Sequence, residues 1–412
     1  MTVHFASKNG AISRGILGAA FVASLLGSAA PALALDAEAF AQKLNASFGM
    51  FAGEIKYDAA TVDGDTVTLS AVSLSQPGQP DLEVGELVFE GVAETGDGGY
   101  TAELLGFDNF DSTNEDTQIQ VQGLEISGVR IPADPSTVSM QQMLFYDAAR
   151  VGPVTVTHKG AEVFSMAGAE GTVTEQPDGS AMDTIATASG IVISVDQIED
   201  AKARDMFAGL GYDKLRGDVK MDVGWELATG RLDLREYAFT FNDVGRLNIT
   251  MSISGYTMEF IQGLQQAQKA AATNPDPKAA EQAMGFAMMG MLQQLSFNGA
   301  TVSFEDASLT DKALNYAGEQ QGISGEQMAQ ALKGMMPLML GQLGMPDLQA
   351  QVSAAASTFL DEPGSISISA LPAQSVAVPM IMGAAMGDPR GLVDLLNVKV
   401  TANQSVETCC NP

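Results

Sequence analysis

The sequence predicts an α+β protein. An extended, mainly antiparallel β-sheet is partly covered by methionine-rich helices and preceded by a cleaved signal peptide. Three observations lead there. Between Ile55 and Gly255 apolar and polar side chains mostly alternate, with Gly, Asp or Pro recurring about every dozen residues, the pattern of short antiparallel strands and turns. After Gly255 the apolar spacing becomes helical, with a few strand-like runs between helices. The first 34 residues have the make-up of an export signal.

In that leader, Lys8 and Arg14 form a basic start, Gly15–Gly27 a short apolar stretch, and Ala32-Leu33-Ala34 a small-residue cleavage site. The apolar stretch is too short to span a bilayer. No cysteine follows the cleavage site and no twin-arginine pair precedes it, so the expectation is export to the periplasm as a protein without a lipid anchor. The expected organisation is therefore a signal peptide over 1–34, a β-rich region over 35–255 and a helix-rich α+β region over 256–412 that packs on the sheet.

Asp36 is placed to cap a short helix in which Phe40, Leu44 and Phe48 share a face, and Gly49 to end it. Strands are expected at Val62–Leu74 (Val67, Leu69 and Ala71 on one face, turning at Gly64-Asp65), Leu82–Val92, Tyr100–Phe107, Ile119–Ile131, Val151–His158, Glu162–Thr174 and Ile185–Val195. Turn signals lie between them, among them Gln76–Pro80 and Pro132–Pro135. Helices are expected at Val138–Arg150 and Gln197–Leu210. The clearest meander is Gly217–Gly255. A two-residue turn at Thr229-Gly230 would set Leu227 opposite Leu232, Trp225 opposite Leu234 and Glu226 opposite Asp233. A bulge at Arg235-Glu236 and an odd-length loop after Phe241 would keep Tyr237, Phe239, Phe241 and Leu247, Ile249, Met251, Ile253 on one face. Such a sheet has one wet and one dry face, and the dry one needs an apolar cover. Further helices are expected at Met258–Ala272, Pro277–Leu295, Asp311–Gln320, Gly325–Leu343 and Asp347–Leu360, with a capping box at Ser324/Gln327 and an N-cap at Asp388-Pro389. Strands are expected at Ala300–Leu309, Ser365–Leu371 and Asn397–Ala402.

Composition excludes some partners. The formal charge is −29, and loss of Lys8 and Arg14 with the leader takes it to −31, so nucleic acid and anionic bilayers are repelled. Hydrophobic residues at 46% against 17% charged exclude acidic disorder. Aromatic residues at 6% argue against an outer-membrane barrel with its aromatic girdles.

The methionines are the most distinctive feature: Met284, Met288, Met289 and Met291 on one helix, Met328, Met335, Met336 and Met339 on another, and Met380, Met382 and Met386 later. Methionine fills cores, lines plastic apolar grooves or ligates Cu(I). Embedding among Leu, Phe, Ala and Gly leaves ordinary core and an apolar groove as the readings, the groove drawing on Met284, Met288, Met291, Met328, Met335 and Met339. His158 alone cannot build a zinc site, and the acidic turns Asp63–Asp65 and Asp108–Asp116 lack calcium-loop spacing. No metal or cofactor is expected. Hydrolase, phosphate-loop and dinucleotide signatures are absent, so the expectation is a non-enzyme, a carboxylate-pair hydrolase remaining the outside alternative. Cys409 and Cys410 are adjacent: they can form a vicinal disulfide, link chains, or sit free on a frayed tail, the plainest reading.

The run GATVSFEDASLTDKALNYAGEQQG (Gly299–Gly322), with FLDEPGSISIS (Phe359–Ser369) and LLNVKVTAN (Leu395–Asn403), resembles the C-terminal part of an uncharacterised family of exported alphaproteobacterial proteins. The β-rich portion more distantly resembles AsmA-like and YdgA-like envelope proteins. The resemblance implies an envelope location and a link to lipid or outer-membrane homeostasis. The functional expectation is a periplasmic protein binding a lipid-like apolar ligand or an envelope protein; the alternative is an interaction module with no small ligand.

Overall fold

The computed structural model describes residues 35–49, 53–75, 81–114, 116–134, 144–198, 200–341, 344–387 and 390–410. The leader, the Gln76–Pro80 turn, residues 138–143 of the expected 138–150 helix and Asp388-Pro389 lie outside them. The described chain is α+β, as the alternation and the helical spacing predict, and its strands join in one antiparallel sheet.

The sheet opens with β1 (Glu54–Lys56), β2 (Ala59–Asp63) and β3 (Thr66–Ser75), followed by β4 (Leu82–Glu90), β5 (Ala93–Glu94) and β6 (Tyr100–Phe107). Next come β7 (Phe110–Asn114), β8 (Thr117–Val121), β9 (Glu125–Ile131), β10 (Ala148–Val151), β11 (Val154–His158), β12 (Ala161–Met166), β13 (Gly168–Glu175) and β14 (Ala181–Ser194). The meander is β15 (Lys214–Glu226), β16 (Arg231–Phe241) and β17 (Gly245–Ser254), and the sheet closes with β18 (Ser296–Asp306), β19 (Ser365–Ala370), β20 (Val376–Ala377) and β21 (Val398–Ala402).

The pairings trace a path β3–β4–β6–β9–β10–β13–β14–β15–β16–β17–β18–β19–β21. At the usual strand spacing that path is about 60 Å across. A second arm, β7–β8–β11–β12, joins the far half of β14. The two arms are the same long strands interrupted along one line. β6 runs on into β7, β8 into β9, β10 into β11 and β12 into β13, and glycines stand at the breaks. The Gly152 amide donates to Gln122 O (2.8 Å), and a Cβ on Gly152 would lie 2.9 Å from that oxygen. On β14 the register skips between Ala188 and Ile191, and Gly190 adopts φ +62° there. This crease divides the expected strands Ile119–Ile131 and Glu162–Thr174 into two each, and starts β11 only at Val154.

Three expectations about the strands need correction. The β15–β16 connection is four residues long, so Trp225 pairs with Leu232 and Val223 with Leu234. The shift of two residues keeps the same face buried and sets Glu226 against Arg231 rather than Asp233, replacing a like-charge pair by an opposite one. Ala71 is a bulge residue with φ +51°, and Val72 takes the buried place. Ala148–Arg150, expected to end a helix, is strand β10, held between β9 and β13. The bulge at Arg235 and the three-residue loop after Phe241, which pairs Phe239 with Leu247, are as expected.

The helices are α1 (Ala37–Phe48), α2 (Ala201–Gly209), α3 (Met258–Ala272), α4 (Pro277–Leu292), α5 (Leu309–Gln321), α6 (Gly325–Gly341), α7 (Pro346–Asp361), α8 (Val378–Gly387) and α9 (Gly391–Leu395). Asp36 caps α1 through its carboxylate, and Ser324 and Gln327 form the reciprocal capping box of α6. The expected 197–210 helix starts only at Ala201, because Asp200 caps it there. Helix α8 was not foreseen: its run of Ala, Met and Gly has no polar face to reveal a period.

The largest core lies at the N-terminal end, where α1 seats Phe40 and Leu44 on Val67, Leu69, Phe89 and Tyr100. Phe40 meets the rings of Phe89 and Tyr100 edge-on at 4.9 and 5.3 Å. At the other end α7 lies over β21 and β19, packing Ala355 and Phe359 against Phe304, Ile366, Val400 and Ala402.

Candidate functional site

Strand register places apolar side chains in rows that cross the sheet on one face. One row is Val151–Ala169–Ala188–Val219–Phe239–Leu247–Phe304–Ile366–Ala402, directly opposed residues on nine successive strands. A neighbouring row runs Phe89–Leu105–Ile126–Ala149–Gly171–Ala186–Met221–Tyr237. A third, Ile249–Val302–Ile368–Val400, lies near the C-terminal edge.

The opposite face is charged. Glu236 bridges Lys220 (2.6 Å) and Arg246 (2.7 Å), and Arg246 reaches Glu305 (3.1 Å), an ion-pair ladder over four strands. Arg235 sits between Asp183 and Asp222 at 2.6 Å each. Burial pushes the Glu236 pKa up, but hydrogen bonds from Lys220 and Arg246 outweigh it and hold the carboxyl below its ordinary range. Burial likewise works against the Arg235 charge, and Asp222 and Asp183 reverse it, so its pKa is raised.

Cover on the apolar face is confined to the ends. Helix α1 closes one and α7 the other, and among the described residues no helix packs broadly on β10, β13, β14 or β16. The side chains between are half-buried, sheltered by in-plane neighbours, and Leu247, Val302 and Ile368 are exposed, Ile368 at 49%. An apolar sheet face of that extent left open is the unusual feature of this molecule.

The methionines distribute unevenly. Met291 of α4 is buried, and a Cβ on Gly263 of α3 would lie 3.7 Å from its sulfur; Met284 is half-buried. Met328 of α6 is buried with Leu314, Ala329 and Leu360 among α5, α6 and α7. Met288, Met335 and Met339 face solvent. Helix α4 packs chiefly on α3, and α6 on α5 and α7, so the structure does not gather the six into one groove.

The described part of the C-terminal tail, to Cys410, is held against the sheet. Cys409 and Cys410 are bonded as a vicinal disulfide, and Cys410 is buried. Thr301 Oγ1 donates to Glu407 O (2.9 Å), and the Cys409 sulfur lies 3.8 Å from Thr250 Oγ1. The tail thus covers a Ser/Thr-rich part of the wet face, where Thr250, Ser252, Thr301 and Ser303 are buried. Its signal in the sequence is the alternation of Ser and Thr with apolar residues in β17–β19. His158 is a strand residue with Nδ1 2.9 Å from Thr117 Oγ1, and Asp111 accepts hydrogen bonds from Gln118 and Gln120 on the next strand.

Residues 238–403, less than half of the chain, match the family model of an uncharacterized protein. The match spans β16 to β21 with the intervening helices. A search of the curated proteins finds no match to the chain. Among the described residues no helix is long and apolar enough to cross a membrane.

Proposed function

We propose that this is an exported, non-enzymatic protein that holds a lipid-like apolar ligand against the dry face of its sheet, in maintenance of the cell envelope. One observation carries the reading: opposed apolar side chains run unbroken over nine strands, with α7 over their Ala402 end and α1 over the Phe89 end of the neighbouring row. Leaving such a surface to water costs about 25 cal/mol per Å² of apolar area, which an acyl chain laid along the rows recovers without any polar partner. The ligand site moves accordingly, from a cleft among the methionine helices to the rows containing Val219, Phe239, Leu247, Val302 and Ile368. The leader, with its Ala32-Leu33-Ala34 cleavage site, supports the envelope location.

The test is crosslinking with a photoactivatable fatty acid, mapped by peptide mass spectrometry. Adducts should concentrate on β15–β19 dry-face residues, and Ile368→Glu, a change at an exposed position, should remove most of them. Adducts spread over the surface, or unaffected by Ile368→Glu, would refute the dry face as the site.

A further inference from the structure

Three helices carry large apolar side chains into solvent. Phe286 of α4 is 76% exposed, Leu338 of α6 78% and Met386 of α8 83%, with Met289, Met335, Met339 and Met380 also exposed beside them. Each lies in a stretch free of Asp, Glu, Lys and Arg: 282–304, 334–346 and 363–387.

These stretches are far apart in sequence and converge in the fold. Ser296, the first residue of β18, pairs with Ala377, and the Val378 amide donates to Leu295 O (3.0 Å), so the end of α4 meets the start of α8. The Gln349 side chain of α7 donates to Pro337 O of α6 (3.0 Å). In the turn after α6, a Cβ on Gly344 would lie 2.9 Å from the Arg390 guanidinium, which follows α8. Helix α7 runs back along β21, its Gln351 near Val400 and its Phe359 near Ala402, so its start lies toward the same end of the sheet.

We infer that this end of the molecule docks on a zwitterionic lipid surface, inserting Phe286, Leu338 and Met386 at the hydrocarbon boundary. Charge selects the partner. A surface helix that binds anionic lipid is rich in Lys and Arg on its polar face, whereas α4 carries only Lys278, α6 only Lys333, which is paired with Asp361, and α8 neither. The body they belong to bears a formal charge of −29 and is repelled by anionic headgroups. A protein partner would be met by aromatic and Arg anchors inside a polar rim, whereas Met, Leu, Ala and Gly dominate here and suit a fluid apolar phase. The docking residues are distinct from the dry-face rows, so this inference stands apart from the ligand proposal.

The test is co-flotation of the full mature chain with phosphatidylcholine vesicles. The chain should float with them, float less with phosphatidylglycerol-enriched vesicles at low salt, and recover as salt screens the repulsion. Phe286→Ser, Leu338→Ser and Met386→Ser together should lower the partition coefficient at least about a hundredfold, since each takes a large apolar side chain out of the hydrocarbon boundary. All three side chains are exposed, and an unchanged circular dichroism melt confirms that the fold survives. No flotation, flotation indifferent to the triple variant, or a preference for anionic vesicles would overturn the inference. So would a stable dimer dispersed by the same substitutions, which would make the patch a contact between copies. Ile368→Glu separates the two proposals: it should lose the bound fatty acid and still float.

Discussion

Gly190 shows how much of the sheet rests on single residues. It sits at the crease with φ +62°, and a Cβ there would lie 2.7 Å from the Ala167 Cβ. Gly190→Ala should therefore lower stability by about 1–2 kcal/mol from the left-handed backbone alone, and more from the contact, read as a shift in the urea midpoint. Its role was not legible in the sequence: a strand glycine signals a bulge, but not that glycines of neighbouring strands fall on one line. Glu236 makes a pH-dependent contribution. Its pKa lies below the ordinary 4.5, so its stabilisation is fully present above that value and is lost as pH falls through the lower folded value. The stability gap between wild type and Glu236→Gln should be no more than about 1 kcal/mol near neutral pH, given solvent screening, and should shrink as pH falls below the ordinary carboxylate range. A gap that widens in acid would show that the ladder is not what holds Glu236 charged.

Among elements, α7 is the one described helix spread over the C-terminal dry face, and Phe359 is the largest side chain it buries against the sheet's edge. Phe359→Ala should cost about 3–5 kcal/mol and raise amide exchange in β19 and β21 before β13–β15; uniform exchange across the sheet would deny α7 a local role. The helices of the last third other than α8 and α9 were legible to within three residues at each end, and side-chain caps fix where three of them start: Thr257, Asp276, and Ser324 with Gln327. The stretch ending at Ala148–Arg150 was misread because its helical look is local, while the pairing that makes it strand comes from Ile126 and Gly171, well away in sequence. The β15–β16 register was missed for a similar reason. Thr229-Gly230 is a good two-residue turn, but the Trp225 indole donates to Tyr256 O (2.9 Å), and Glu226 pairs with Arg231 in the longer loop's register.

At the scale of the molecule, the antiparallel sheet and its α+β class follow from alternation that the sequence displays openly, and so does the division into wet and dry faces. The extent of the dry face does not. Rows such as Val151 to Ala402 exist only once the register across nine strands is known, and one odd bulge would break them. Nor could spacing tell a methionine in a helix interface, such as Met291 or Met328, from one in solvent, such as Met339 or Met386. The central claim is that the open face carries an apolar ligand. Native mass spectrometry of the protein from its own source, before and after organic extraction, tests it most directly. A bound mass of fatty-acid or phospholipid size, lost on extraction and missing from Ile368→Glu, is the predicted result. A clean apo mass under conditions that preserve the fold would contradict it.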